Sequence, residues 1–115
     1  MQLPLDIQFH NTDRSSAVEA AIREQAAKLE RFAGDIVSLR VRVEGPHKHS
    51  QHGGLYAVSV DLRFAGGEVV ASRHPAGRVE HEDVYVAARD AFHAARRQLQ
   101  DRVRKRDGRV KKHAD

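Results

Sequence analysis

At 115 residues the chain can bury one core but hardly two, so a single domain is expected. It has no cysteine, which removes disulfides, thiol nucleophiles and the usual structural zinc sites together. Net charge is +4, unevenly placed: residues 1–88 hold 10 Lys/Arg against 12 Asp/Glu, a net −2, and residues 89–115 hold 10 against 4, a net +6. Such an asymmetry points to a polyanionic partner met by the C-terminal part, since clustered cations gain by displacing counterions from phosphates. A solvated helix with a frayed tail is the bland alternative. No apolar run approaches the ~20 residues of a membrane span, and Met1-Gln2-Leu3-Pro4 lacks the opening of a signal peptide. A soluble, cytoplasmic protein with no membrane partner is therefore expected.

Along the chain, Leu3, Leu5, Ile7 and Phe9 alternate with polar or turn residues and predict a first strand over about 3–9. Ser16-Ala17-Val18-Glu19 has capping-box spacing. Val18, Ile22, Leu29 and Phe32, with Ala26 between, continue at helical spacing, so a helix is expected over about 16–33 before Gly34. Val37, Leu39, Val41 and Val43 predict the second strand, ended by Gly45-Pro46. Tyr56, Val58, Val60, Leu62 and Phe64 predict the third, and Ala65-Gly66-Gly67 turns into a fourth over 68–72. Segments 45–54 and 74–81 read as exposed loops.

From 82 or 83 to about 106 the pattern is helical again. Val84, Ala88, Ala91, Phe92, Ala95, Leu99 and Val103 fall at steps of three or four, and Glu82 and Asp83 favour the N-terminus electrostatically. Gly108 is the expected terminator, so residues 1–107 form the domain and 108–115 a basic flexible tail. The order β-α-β-β-β-α specifies an α+β domain: a right-handed β-α-β crossover, antiparallel hairpins after it, and a four-stranded mixed sheet with both helices on its apolar face. The other face, with Arg40, Arg42, Ser59, Asp61 and Arg63, is wet or meets a partner.

At about 100° per residue from Val84, the apolar stripe of the last helix spans roughly −20° to 100°. Arg89, His93, Arg96, Arg97, Gln100 and Arg104 fall at roughly 120° to 220°, a polar-basic band ~23 Å long that can track several phosphates. Asp90 and Asp101 lie at its far edge. Arg23, Lys28 and Arg31 on the first helix are supporting contacts, with Glu24 and Glu30 among them. Lys105 and the tail's Arg109, Lys111 and Lys112 complete the candidate RNA-binding set. Aromatic residues hardly interleave with these cations, so phosphate and shape recognition of folded RNA fits better than base stacking.

Lys28-Leu29-Glu30-Arg31-Phe32 is similar to the Lys-Leu-x-x-aromatic helix ending of the bacterial ribosome hibernation-promoting factor and ribosome-associated inhibitor family, also called the sigma-54 modulation protein family. Gly67-Glu68-Val69-Val70-Ala71-Ser72 resembles its Gly-Glu-apolar-x-Ala-Ser run. Asp83-Val84-Tyr85-Val86-Ala87, followed by Arg97-Gln98-Leu99, resembles the opening of its second helix. The resemblance covers nearly the whole chain. It implies binding to small-subunit rRNA in the channel for mRNA and the A- and P-site tRNAs, which blocks initiation and protects idle ribosomes. It implies a short form without the C-terminal dimerisation domain of the long forms, monomeric off the ribosome. Two departures stand out: residues 73–82 are longer than the family's usual link, and Arg89 occupies a position often acidic.

His47, His49 and His52, with His74 and His81 elsewhere, raise a metal-dependent hydrolase as an alternative. The loop lacks an obvious carboxylate ligand and a rigid second shell, and an exposed polar loop is the simpler reading. Tyr85 is read as a core ring with its hydroxyl outward. No carboxylate pair, nucleophile motif or phosphate-binding glycine loop is evident, so a binding module without cofactor, metal or small-molecule substrate is expected, not an enzyme. A general double-stranded-RNA module shares the architecture, and a protein-only regulator is a third possibility. Salt-dependent affinity for any duplex marks the first, metal-dependent turnover the hydrolase, and a partner retained at high salt the last. The expected radius of gyration is near 13 Å.

Overall fold

Parallel strands need a crossover long enough to return the chain, and a helix supplies one at the start of the chain in a computed structural model describing residues 4–32, 36–45, 55–65, 67–70 and 78–114. Strand β1 (Leu5–His10) lies beside β2 (Ile36–Glu44), with Leu5 opposite Leu39 and Phe9 opposite Val43, and α1 (Ser16–Phe32) makes the crossover. β3 (Tyr56–Phe64) runs antiparallel to β2. Its other edge is taken by two segments in series, β4 (Gly67–Val70) against 61–64 and β5 (Arg78–His81) against 56–59. The chain ends in α2 (Val84–Ala114).

The expected four-stranded mixed sheet is thus present, with its fourth position shared by β4 and β5. β5 was not expected: residues 78–81 read as loop because their only apolar residue is Val79. The register measures the interruption. Val70 faces Asp61, so an unbroken strand would bring residue 72 opposite Ser59, yet Arg78 is there, six residues later.

Alternation in the strands and the 3.6-residue period in the helices bring Ile7, Ile22, Leu39, Val41, Val60 and Leu62 into one core with Ala91, Phe92 and Leu99 of α2. Ala87 and Ala94 are buried as well, outside the expected stripe, because β5 packs against that flank of α2. Two aromatic expectations are corrected. Tyr85 is 48% exposed, since it sits at the very start of α2 where its stripe-edge position turns it outward. Phe32, the last residue of α1, is 37% exposed and lies outside the core cluster.

The helix starts are set by side-chain caps. On α1 the cap is Ser15, one residue before the expected Ser16: the Val18 N–H donates to Ser15 Oγ at 3.3 Å, while Glu19 is held by Arg14 Nε at 2.6 Å. On α2, Asp83 Oδ1 accepts from Tyr85 N at 2.9 Å and Val86 N at 3.4 Å. At its far end α2 does not stop at Gly108 but continues to Ala114. A helical glycine costs only about 1 kcal/mol relative to alanine, which flanking Arg, Lys and Ala residues tolerate. The long helix explains a radius of gyration of 15.4 Å, above the expected value, and a longest extent of 57 Å.

One close approach ties the parallel pair to the first turn. Gly45 is buried just past β2, and its N–H donates to the His10 carbonyl at 2.8 Å. A Cβ there would collide with the Asn11 carbonyl oxygen and stand 2.6 Å from Thr12 Cβ. Because backbone cannot yield as a flexible side chain does, Gly45→Ala is predicted to cost about 1–3 kcal/mol and lower the melting temperature by roughly 5 °C or more. Thermal unfolding followed by circular dichroism tests this, and an unchanged midpoint would show that the turn relaxes freely.

Candidate nucleic-acid interface

Because the alanine-rich side of α2 is committed to the sheet, its long side chains have only the solvent side left. Arg89, His93, Arg96, Arg97 and Arg104 are all exposed there, and Gln100 is half-buried among them; Lys105 is exposed too, but five turns after Ala87 it lies on the alanine flank. The nearest acid, half-buried Asp90, is occupied by Arg89 Nε at 3.3 Å, a contact too exposed to contribute much to stability. Arg102 carries the same charge but a different role: its Nη1 donates to the Glu68 carbonyl at 3.1 Å and links α2 to β4.

Helix α1 runs alongside. Gln25, Lys28 and Leu29 share a groove of about 140 Å³ with Arg89, Phe92, His93 and Arg96. One turn beyond Lys28, the Phe32 ring meets the Arg96 guanidinium at 4.1 Å. The two helices therefore descend in the same sense, and Lys28 joins three residues of the α2 band. On the other flank of α2 a wider concavity of about 650 Å³ is lined by Val79, Asp90, His93, Ala94, Arg96, Arg97 and Gln100. His93 and Arg96 line both hollows and form the ridge between them.

The remaining candidates are more scattered. Arg23 and Arg31 are exposed on α1 but line neither hollow, and Lys28 stands 4.0 Å from Glu24. Arg104 continues the band beyond the grooves, Lys105 stands off it on the flank of Ala87, and Arg109, Lys111 and Lys112 belong to the last turns of α2. The sequence reading missed Gln25 and Phe32. Gln25 carries no charge to attract notice, and Phe32 sits at the spacing of a core residue.

The opposite face of the sheet has a different character. Arg40 stands 3.7 Å from Asp6, Arg42 3.3 Å from Glu44 and Arg63 3.3 Å from Glu68, so its cations have acids beside them. The positive field is left to the helix side. The loop histidines His47, His49 and His52, and His74, lie outside the described residues. His81 accepts the Asp83 N–H through Nδ1 at 3.0 Å, and among the described residues no three potential ligands cluster for a metal.

A family model described as sigma 54 modulation protein / S30EA ribosomal protein matches residues 5–107. A ribosomal subunit interface protein from Coxiella burnetii is similar in fold, with a TM-score of 0.70 and 14% identity over 86% of this chain and 96% of that one. The N-terminal domain of Protein Y from Thermus thermophilus gives a TM-score of 0.64 and 19% identity over 88% of this chain and 98% of the other. No curated protein matches the sequence.

Cations crowded on one exposed face and absent from the core should be dispensable for folding. Replacing Arg97 and Arg104 with Gln is predicted to leave the melting temperature within about 4 °C of the parent, or to raise it at low salt by relieving repulsion. A larger fall in a thermal melt would show that these side chains hold the fold together.

Proposed function

Because the chain belongs to the sigma 54 modulation protein / S30EA ribosomal protein family, we propose that it binds the small ribosomal subunit through rRNA in the mRNA and tRNA channel and blocks translation in idle ribosomes. The observation that carries this reading is the continuous cationic surface of α2, extended by Lys28 across the inter-helix groove, while the opposite sheet face pairs its own charges. Guanidiniums spaced along a helix meet successive phosphates, and phosphate contacts fix position without reading sequence. Arg89, His93, Arg96, Arg97 and Arg104 form the main contact, with Arg23, Lys28, Arg31 and Lys105 beside them.

Arg109, Lys111 and Lys112 extend the attraction along the end of α2. The mechanism is occupation. A body 57 × 31 × 17 Å in extent obstructs mRNA and tRNA by its volume, and no step in this reading alters the ribosome chemically. The protein then acts as a stoichiometric binder and reverses on removal.

A titration of small subunits across a salt series tests the proposal. Affinity should fall steeply with salt, saturate at about one protein per subunit and compete with initiator tRNA. Truncation after Asp107 should weaken binding and flatten the slope, and each neutralised arginine should flatten it by about one unit. An Arg96→Ala, Arg97→Ala double variant that binds like the parent would contradict the assignment. Ribosomes that stay inactive after the protein is stripped away, or whose rRNA is cut, would contradict simple occupation.

A further inference from the structure

The contact between Arg96 and Phe32 does something a phosphate anchor does not need. The guanidinium carbon stands 4.1 Å over the ring centroid, a stacking distance, whereas Arg14 over Phe9 is at 5.9 Å. The Arg96 guanidinium is thus seated over an aromatic ring. The residue as a whole is exposed and lines the hollows on both flanks of α2, so Arg96 stays accessible to a ligand while it contacts Phe32. Phe32 is itself 37% exposed at the end of α1, where core burial does not account for an aromatic residue.

A braced guanidinium is a flat, cationic surface with little rotamer freedom left to lose on binding. Unpaired RNA bases stack on such planes, as they do on aromatic rings. Lys28 and Arg89 lie in the same groove as Arg96, with an amide at Gln25 and apolar atoms of Leu29 and Phe92 beneath. The groove therefore offers two cations for phosphates next to one plane for a base.

We propose that Arg96, braced on Phe32, is a stacking platform for one unpaired base of the bound RNA, with Lys28 and Arg89 holding the flanking phosphates. This rests on the rRNA-binding reading above and adds a local preference for unpaired RNA to an interface otherwise made of charge. Phe32 is a positioning residue: it orients the plane and meets no phosphate.

Salt series separate a plane from a charge. Arg96→Lys keeps the charge and loses the plane, and Phe32→Leu keeps apolar bulk and loses the brace. Both should lie on lines parallel to the parent, with Arg96→Lys weaker by about 5- to 150-fold, the range that stacking supplies per base. The double variant should be no weaker than Arg96→Lys alone, because the two side chains act as one unit. At about 50 mM salt, where phosphate attraction is strong, the parent should prefer an RNA hairpin with one bulged nucleotide over its fully paired counterpart, and Arg96→Lys should lose that preference.

Equal affinity of the parent for the two hairpins, including none for either, overturns the platform. So does a Phe32→Leu variant that binds small subunits like the parent. A parent protein that fails to bind small subunits at any salt overturns the rRNA-binding reading itself, a distinct result.

Discussion

The seating of α2 on the sheet decides what the rest of the molecule can present. Ala87, Ala88, Ala91, Ala94 and Ala95 are all buried, and their small side chains let the helix lie close to β3 and β5, while Phe92 and Leu99 fill the spaces between the layers. A helix held on one side by its methyl groups cannot roll without exposing them. Its opposite side is fixed in turn, and that side carries Arg89, His93, Arg96, Arg97 and Arg104. Burial and charge are thus two consequences of one packing contact.

The same contact explains how α1 takes part. Its buried line of Val18, Ile22, Ala26 and Leu29 packs in the same core, which brings Lys28 to the groove and Phe32 beneath Arg96. Among the described residues, the cations of the helix side make ion pairs only at the exposed contacts with Glu24 and Asp90. On the outer sheet face, neighbouring positions alternate in sign instead. Self-repulsion on one face is the cost of a strong field there, and a polyanion relieves it.

Strong periodicity made much of this legible in the sequence. Leu39, Val41 and Val43 alternate with polar residues, and such a run reads as a strand because one face has to be buried; Val37 has the same spacing but is exposed, since a register shift between Ile36 and Ser38 packs Ile36 against the core in its place, and the apolar stripe of α2 places the basic band beside it. What escaped were features decided by tertiary contacts. Val79 is a single apolar residue in a polar segment, and only the ladder of 78–81 with 56–59 of β3 makes that segment a strand, which packs on the flank of α2 where Ala87 and Ala94 are buried. Phe32 and Tyr85 lie at helix ends, where a residue keeps its angular position but loses the neighbours that would cover it. Gly108 reads as a stop because glycine often ends helices, yet termination also needs a chain that turns away, and α2 continues to Ala114.

The central claim is that the helix side faces rRNA and the outer sheet face does not. The absence of native cysteine allows one photocrosslinker to be attached at a chosen place, either Gln100→Cys within the α2 band or Gln8→Cys on the outer face of β1. With small subunits, crosslinks to rRNA from position 100 and none above background from position 8 are the predicted result. Crosslinks from position 8 with position 100 silent would contradict the account, since the wrong face of the sheet would then be meeting the RNA.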